Sequence, residues 1–222
     1  MFGDLLLVLR KDLRIEARSR VLLQQVTPFA FLVLLLFAFA LDPDTGVLAR
    51  ATAGLFWVAV LFSGLLAVQR SVAVESADAA RDGLRLSALE PPAIFLGKVA
   101  AVTVELLALE IVLGVGVVLL YGTHLAGPLL LVGTALAATV GLAAAGSLYG
   151  VLAAGLRVRE TLLPLLLLPV LAPVLIGATR AYEAALRGVT ADGWPWLGLL
   201  AVFAATYLVL GAAAFGPLME EA

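Results

Sequence analysis

The sequence predicts an all-α, polytopic integral membrane protein that forms a single transmembrane domain over residues 1–222. Of its residues 63% are hydrophobic and 14% are charged, whereas soluble domains have roughly 45–50% apolar and about 25% charged residues. Charge-poor stretches of about 20 residues recur, and this is the length a helix needs to cross a hydrocarbon core about 30 Å thick. These stretches leave no room for a sizeable soluble domain.

The charge-poor stretches define six predicted transmembrane helices. The fourth is longer than a span requires, which suggests tilt or a non-spanning end. The fifth contains Pro164, Pro169 and Pro173, and prolines inside a helix predict kinks because they remove backbone donors. The predicted spans cover about 21–41, 51–68, 99–120, 128–155, 161–179 and 196–215.

Residues 1–20 predict an additional helix that lies in the membrane interface. Apolar residues recur at helical spacing on one face, while five basic residues occupy this short segment, a combination typical of interfacial helices. The apolar residues are Phe2, Leu5, Leu6, Leu9 and Leu13, and the basic ones are Arg10, Lys11, Arg14, Arg18 and Arg20.

The distribution of Lys and Arg predicts the orientation, because basic residues are retained on the cytoplasmic side. The amino-terminal segment has five, the second loop four and the fourth loop two, which makes eleven of the 14 in total. The other three are Arg50, Arg180 and Arg187 on the opposite side. We therefore expect both termini to be cytoplasmic. The net charge of -2 gives no reason to expect a nucleic acid partner.

The longest polar segment, residues 69–98, is predicted to be a cytoplasmic loop. It contains no phosphate-binding loop, because Val99 follows Gly97 and Lys98 where Ser or Thr is required. If ATP drives the protein, a partner subunit must hydrolyse it, and this loop is the natural contact; a solvated connector is the alternative. The predicted coupling residues are Glu75, Asp78, Arg81, Asp82, Gly83, Leu86 and Leu89.

Glu105 and Glu110 form a candidate polar site inside the third span. An ionised carboxylate there costs about 2.5–3.5 kcal/mol, so we expect a partner or a water-lined cavity. Positions five apart are roughly 140° apart on a helix, so the two need not share a face. A structural role in hydrogen bonding or subunit packing competes with a proton or cation path.

His124 is the only histidine, in a short loop on the predicted outer side. It is a candidate haem contact. The alternative is that it is an ordinary loop residue. Gly146 and Gly150 form a GxxxG pair that permits close helix packing, either within the subunit or between two copies. The sequence has no cysteine, so no thiolate metal site is predicted. No catalytic residue is predicted either.

Three segments carry a resemblance to a known family: LRKDLRIEARSR (9–20), RDGLRLSALEPPAIFLGKVA (81–100) and LPVLAPVLIGA (168–178). Together they resemble the permease family of the cytochrome c maturation system, heme exporter protein B (CcmB), within the ABC-2-type exporters. LRKDLRIEARSR resembles the basic interfacial helix that opens such permeases. RDGLRLSALEPPAIFLGKVA is similar to the family's pattern in the second loop, with a departure at Arg81. The proline-patterned LPVLAPVLIGA is similar to the fifth span.

The resemblance implies a non-enzymatic permease that works as two copies with two copies of a cytoplasmic ATPase, in the bacterial inner membrane. It also implies a haem-handling membrane protein and a periplasmic haem chaperone as partners, with ATP bound by the ATPase and haem as the substrate. Two alternatives are a non-transporting assembly platform and an exporter of another substrate. A third is an ion-coupled carrier that uses Glu105 and Glu110.

Overall fold

The computed structural model describes residues 1–20, 22–41, 46–77, 89–123, 125–154 and 159–221. Every regular element in these ranges is a helix, which confirms the all-α fold. A π-helical turn, Leu22–Val26, precedes α2, and a 3-10 turn, Thr190–Asp192, precedes α7. The α-helices are α1 (Phe2–Ser19), α2 (Thr27–Ala40), α3 (Val47–Ala77), α4 (Pro91–Tyr121), α5 (Pro128–Ala154), α6 (Arg159–Leu186) and α7 (Trp194–Glu221).

Five of the described helices, α3 to α7, are each long and apolar enough to cross a membrane. They correspond to the second to sixth predicted spans, so the protein is a multi-pass membrane protein. A sixth crossing exists if α1 and the helix that follows it form one span, and these two helices meet at a bend of 53°.

The first predicted span, residues 21–41, differs from the sequence-based expectation of one regular helix. Its α-helical part, α2, has 14 residues and covers only about 21 Å at 1.5 Å per residue. Pro28 lies in the first turn of α2 and has no N–H for the preceding turn, which takes the wider π-helical form. The Tyr121 hydroxyl donates a hydrogen bond of 2.9 Å to the Leu34 carbonyl and so fastens α2 to α4.

The predicted loop 69–98 is shorter than expected because helices extend into it from both sides. α3 continues to Ala77, and α4 begins at Pro91, a position in the first helical turn that suits proline. The predicted span bounds were placed near the first charged residues, Arg70 and Lys98, because hydropathy falls there. In the structure these charges lie against neighbouring helices, so the helices continue past them.

α5 lies at the centre of the bundle and packs most extensively against α7 and α6. Its small residues permit this: a Cβ atom added at Gly141 would lie 3.0 Å from the Phe203 ring. At Gly146 it would lie 2.5 Å from Val68 of α3. Gly146 therefore serves close packing within the subunit, which was one of the two readings of the GxxxG pair.

Both chain termini lie at the same end of the bundle as the start of α4. The Met1 amine lies 3.6 Å from the Glu90 carboxylate, and a Cβ atom at Gly216 of α7 would lie 3.5 Å from Pro91. At the opposite end, Gly127 before α5 lies against Ala185 of α6 and Thr190. This arrangement agrees with an even number of crossings.

Candidate functional site

Two groups of polar side chains lie within the bundle, at different depths. The first joins α1 to α3 and α4 near the segment that was predicted to receive an ATPase. The second surrounds Glu110 in the other half of the bundle. Each is built by helices that the sequence pattern predicts, but the pairing of side chains between helices is visible only in the structure.

A glycine of α4 allows α1 to pack closely against that helix. Gly97 has no side chain, and a Cβ atom there would lie 2.7 Å from Cβ of Val8 and 2.9 Å from the Leu5 carbonyl oxygen. Val8 is 2% exposed. The apolar face predicted for residues 1–20 thus packs partly against the protein, and its place in the membrane interface stays a prediction.

A charge cluster follows this contact, formed by Asp12 and Glu16 of α1, Arg70 of α3, and Lys98 and Glu105 of α4. Arg70 Nε lies 3.4 Å from Glu16 Oε2, and Ser19 Oγ donates to the same carboxylate oxygen at 3.4 Å. Lys98 is 5% exposed and has Asp12 and Lys11 as its charged neighbours. The charged groups that act on Glu105 are Glu16, Asp12 and Arg70. The cluster ties α1 to both helices that flank the predicted coupling segment.

The amino end of α1 is tied to the same place. The Met1 amine lies 3.1 Å from Asp4 Oδ2 and 3.6 Å from Glu90 Oε1. The hydrogen bond to Asp4 is the largest cause that raises the pKa of this amine, and Glu90 adds to it. Carboxylates from α1 and from the residue before α4 therefore share one positive charge.

The predicted coupling residues lie between α3 and α4 or at their borders. Glu75 belongs to the last turns of α3, and Leu89, just before α4, packs against the hydrophobic core. Asp78, Arg81, Asp82, Gly83 and Leu86 lie outside the described residues. His124, the predicted haem contact, also lies outside them.

Glu105 and Glu110 do not share a site. Glu105 faces the charge cluster, whereas Glu110 faces α5, where the Thr139 hydroxyl donates a hydrogen bond to Glu110 Oε1. Glu110 is 5% exposed, and its Oε2 atom has no hydrogen-bond partner within the described part of the chain. Tyr182 of α6 lies within electrostatic reach of this carboxylate. The sequence left open whether the two glutamates share a face, and in the structure they lie in two separate environments.

Glu110 lies in the wall of a cavity of about 570 Å³ between α3, α4, α5 and α6. Among the described residues, 18 line the cavity, and of these Thr52, Glu110 and Tyr182 carry polar side chains. Thr52 Oγ1 already donates to the Leu48 carbonyl at 2.9 Å. The sequence identified Glu110 but missed Thr52, Thr139 and Tyr182, because a threonine or tyrosine in a span gives no signal until its neighbours are known.

Replacing Thr139 by valine should destabilise the protein by about 1–3 kcal/mol, because it would leave both oxygens of the buried Glu110 carboxylate without a donor. Thr134→Val is the matched control. Both threonines are in α5 and 0% exposed, but the Thr134 hydroxyl already lacks a partner. Thermal unfolding in detergent should show a clear loss for Thr139→Val only. Equal losses would show that the hydrogen bond to Glu110 contributes nothing.

Comparison of the sequence with known proteins identifies the family to which this chain belongs. A family model described as "CcmB protein" matches residues 4–220. The chain is 32% identical over 210 residues to the "Heme exporter protein B" of Haemophilus influenzae, covering 95% of this chain and 92% of that protein. It is 33% identical over 215 residues to the protein of that name from Paracoccus denitrificans, covering 94% of each. For Escherichia coli strain K12 the identity is 32% over 217 residues, covering 97% of this chain and 94% of the relative.

Proposed function

Because this chain belongs to the CcmB family, we propose that it is the membrane permease subunit of an ABC transporter complex for cytochrome c maturation. The observation that carries the proposal is the family match over residues 4–220, together with relatives called heme exporter protein B that align over nearly their full length. The multi-pass helical bundle supports it. The chain itself acts as a permease rather than as an enzyme.

ATP is hydrolysed by a separate cytoplasmic ATPase subunit that docks on the segment between α3 and α4. Glu75, Asp78, Arg81, Asp82, Gly83, Leu86 and Leu89 form the docking surface. What supports this is the anchoring of both flanking helices: Arg70 of α3 pairs with Glu16 of α1, and α1 packs on α4 at Gly97. A force applied to this segment would reach three helices at once.

The complex contains a second copy of this chain, a haem-handling membrane protein and a periplasmic haem chaperone. It lies in the bacterial inner membrane with both termini in the cytoplasm. Eleven of the 14 Lys and Arg residues fall on one predicted side. The contacts Met1–Glu90 and Gly216–Pro91, which lie at one end of the bundle, support a common side for both ends of the chain.

ATP hydrolysis drives either haem export or release of the haem-loaded chaperone. These two outcomes are distinguished by haem flux in vesicles that contain the purified complex. Haem flux that depends on ATP means export. In that case His124 is the first residue to replace, to test whether it contacts haem. ATP hydrolysis that responds to loaded chaperone without flux means a non-transporting assembly platform.

The docking surface is tested by replacing Asp82 with alanine and Gly83 with leucine in the tagged full chain. We expect co-purification of the ATPase to fall several-fold and cytochrome c assembly to fall with it. The double variant removes the charge of Asp82 and adds a bulky side chain at Gly83, both within the proposed interface. Asp44→Ala, in a polar turn on the predicted outer side, is the control. Unchanged ATPase recovery and unchanged cytochrome c assembly in the double variant would contradict the assignment of this surface.

A further inference from the structure

The cavity beside Glu110 has features of a ligand site rather than of a packing defect. Its volume of about 570 Å³ lies in the range of roughly 300–1,000 Å³ typical of small-molecule pockets, which are apolar with a few placed polar groups. Among the polar groups here is the Glu110 carboxylate, whose Oε2 is buried without a hydrogen-bond partner among the described residues. Such an acceptor is costly to leave unpaired, and a ligand that carries a donor would remove the cost.

The mouth of the cavity is formed by exposed apolar residues, so in a membrane-spanning bundle it would face the hydrocarbon phase. Ile111 of α4 is 70% exposed and Val132 of α5 is 58% exposed, and both line the cavity. Leu119 and Leu125 lie where α4 ends and are exposed lining residues too. A molecule dissolved in the bilayer would reach Glu110 through this apolar mouth without crossing a polar layer.

We propose that the cavity between α3, α4, α5 and α6 binds a lipophilic amine, with its protonated nitrogen on Glu110 Oε2 and its apolar body between α4 and α5. The amine is favoured over an alcohol of the same length because both supply a donor, but only the amine also neutralises the carboxylate. Charge-assisted hydrogen bonds are roughly twice as strong as neutral ones. An acyl chain of a membrane lipid would fill the volume but leave Oε2 unpaired.

Gly114 provides a way to fill the cavity without disturbing the fold. It lines the cavity, and a Cβ atom added there meets no heavy atom within 4 Å. Leucine at this position also favours the helix over glycine. Gly198 in α7 is the matched control, since a Cβ atom there likewise meets nothing within 4 Å but the residue lies outside the cavity lining.

The test uses the full chain in phosphatidylcholine nanodiscs and a diazirine-tagged alkylamine as photolabel, with peptides of α4 and α5 identified by mass spectrometry. Unlabelled decylamine should compete at a concentration at least about tenfold lower than decanol. Glu110→Gln should bring the two competitors to equal potency, because the amide keeps an acceptor but loses the charge. Gly114→Leu should reduce labelling of these peptides at least about tenfold, and Gly198→Leu should not change it.

Equal competition by decylamine and decanol in the wild-type chain would overturn the proposal and leave the cavity as space filled by lipid chains. Undiminished labelling in Gly114→Leu would overturn it as well, and this variant keeps the test decisive if Glu110→Gln folds poorly. Neither readout involves ATP hydrolysis or haem. Failure of this inference and failure of the proposed function are therefore separate results.

Discussion

Gly211→Ala is expected to lower the melting temperature by about 5–10 °C, whereas Gly198→Ala in the same helix should raise it or leave it unchanged. A Cβ atom at Gly211 would overlap the outer end of the Phe95 ring, at Cζ. Phe95 is 0% exposed, and its ring centroid lies 5.5 Å from that of Phe215. The buried Phe95 ring would have to shift against its neighbours, and overpacking of this kind costs about 1–3 kcal/mol, or roughly 2–4 °C per kcal/mol in a protein of this size. At Gly198 a Cβ atom meets open space.

The comparison is made by thermal unfolding of both variants in the same detergent. Phe95→Leu combined with Gly211→Ala should recover part of the loss, because the smaller side chain leaves room for the added methyl group. If the two glycine variants melt together and the combined variant shows no recovery, α7 does not approach α4 at Phe95 as the structure shows.

Arg70→Glu should produce the second large effect, a loss of about 2 kcal/mol or more, because it places a third carboxylate beside Glu16 and Glu105. The exchange variant, Glu16→Arg with Arg70→Glu, restores an opposite-charge pair between α1 and α3. We expect it to regain most of the stability and of the ATPase co-purification that the single variant loses. Both side chains are mostly shielded, at 26% and 13% exposed for Arg70 and Glu16.

Stability is measured by thermal unfolding and coupling by recovery of the ATPase from detergent-solubilised membranes. Arg50→Glu is the matched control, an identical charge change on α3 at the predicted outer end. A double exchange that is as unstable as the sum of its two single variants would show that Arg70 and Glu16 do not interact.

The fold class could be predicted because hydropathy and length are properties of the chain alone. The spans from α3 to α7 follow from long, charge-poor stretches, and the amino-terminal helix follows from the helical spacing of its apolar residues before Arg20. The helix ends were less accessible. From the sequence, Arg70 and Lys98 were assigned to a loop. In the structure each lies inside a helix and has a carboxylate of α1 as a neighbour, Glu16 for Arg70 and Asp12 for Lys98.

The candidate sites were predicted only in part, for a related reason. A carboxylate in a span is conspicuous, so Glu105 and Glu110 were found. Their partners are ordinary residues distant in sequence: Thr139 is 29 positions from Glu110, and Arg70, the cation that acts on Glu105, lies on α3 rather than α4. The π-helical turn in the first predicted span was missed because proline is common at helix starts, so Pro28 alone does not predict such a turn.

The most direct test of the central claim is recovery of the tagged protein from native bacterial membranes in mild detergent, with its partners identified by mass spectrometry and ATP hydrolysis measured on the eluate. We expect a cytoplasmic ABC ATPase and other cytochrome c maturation components to co-purify, and ATP hydrolysis to disappear when the ATPase is removed. Recovery of an ATPase without any maturation component would keep the permease and contradict the haem pathway. A reproducibly solitary protein would contradict the permease assignment itself.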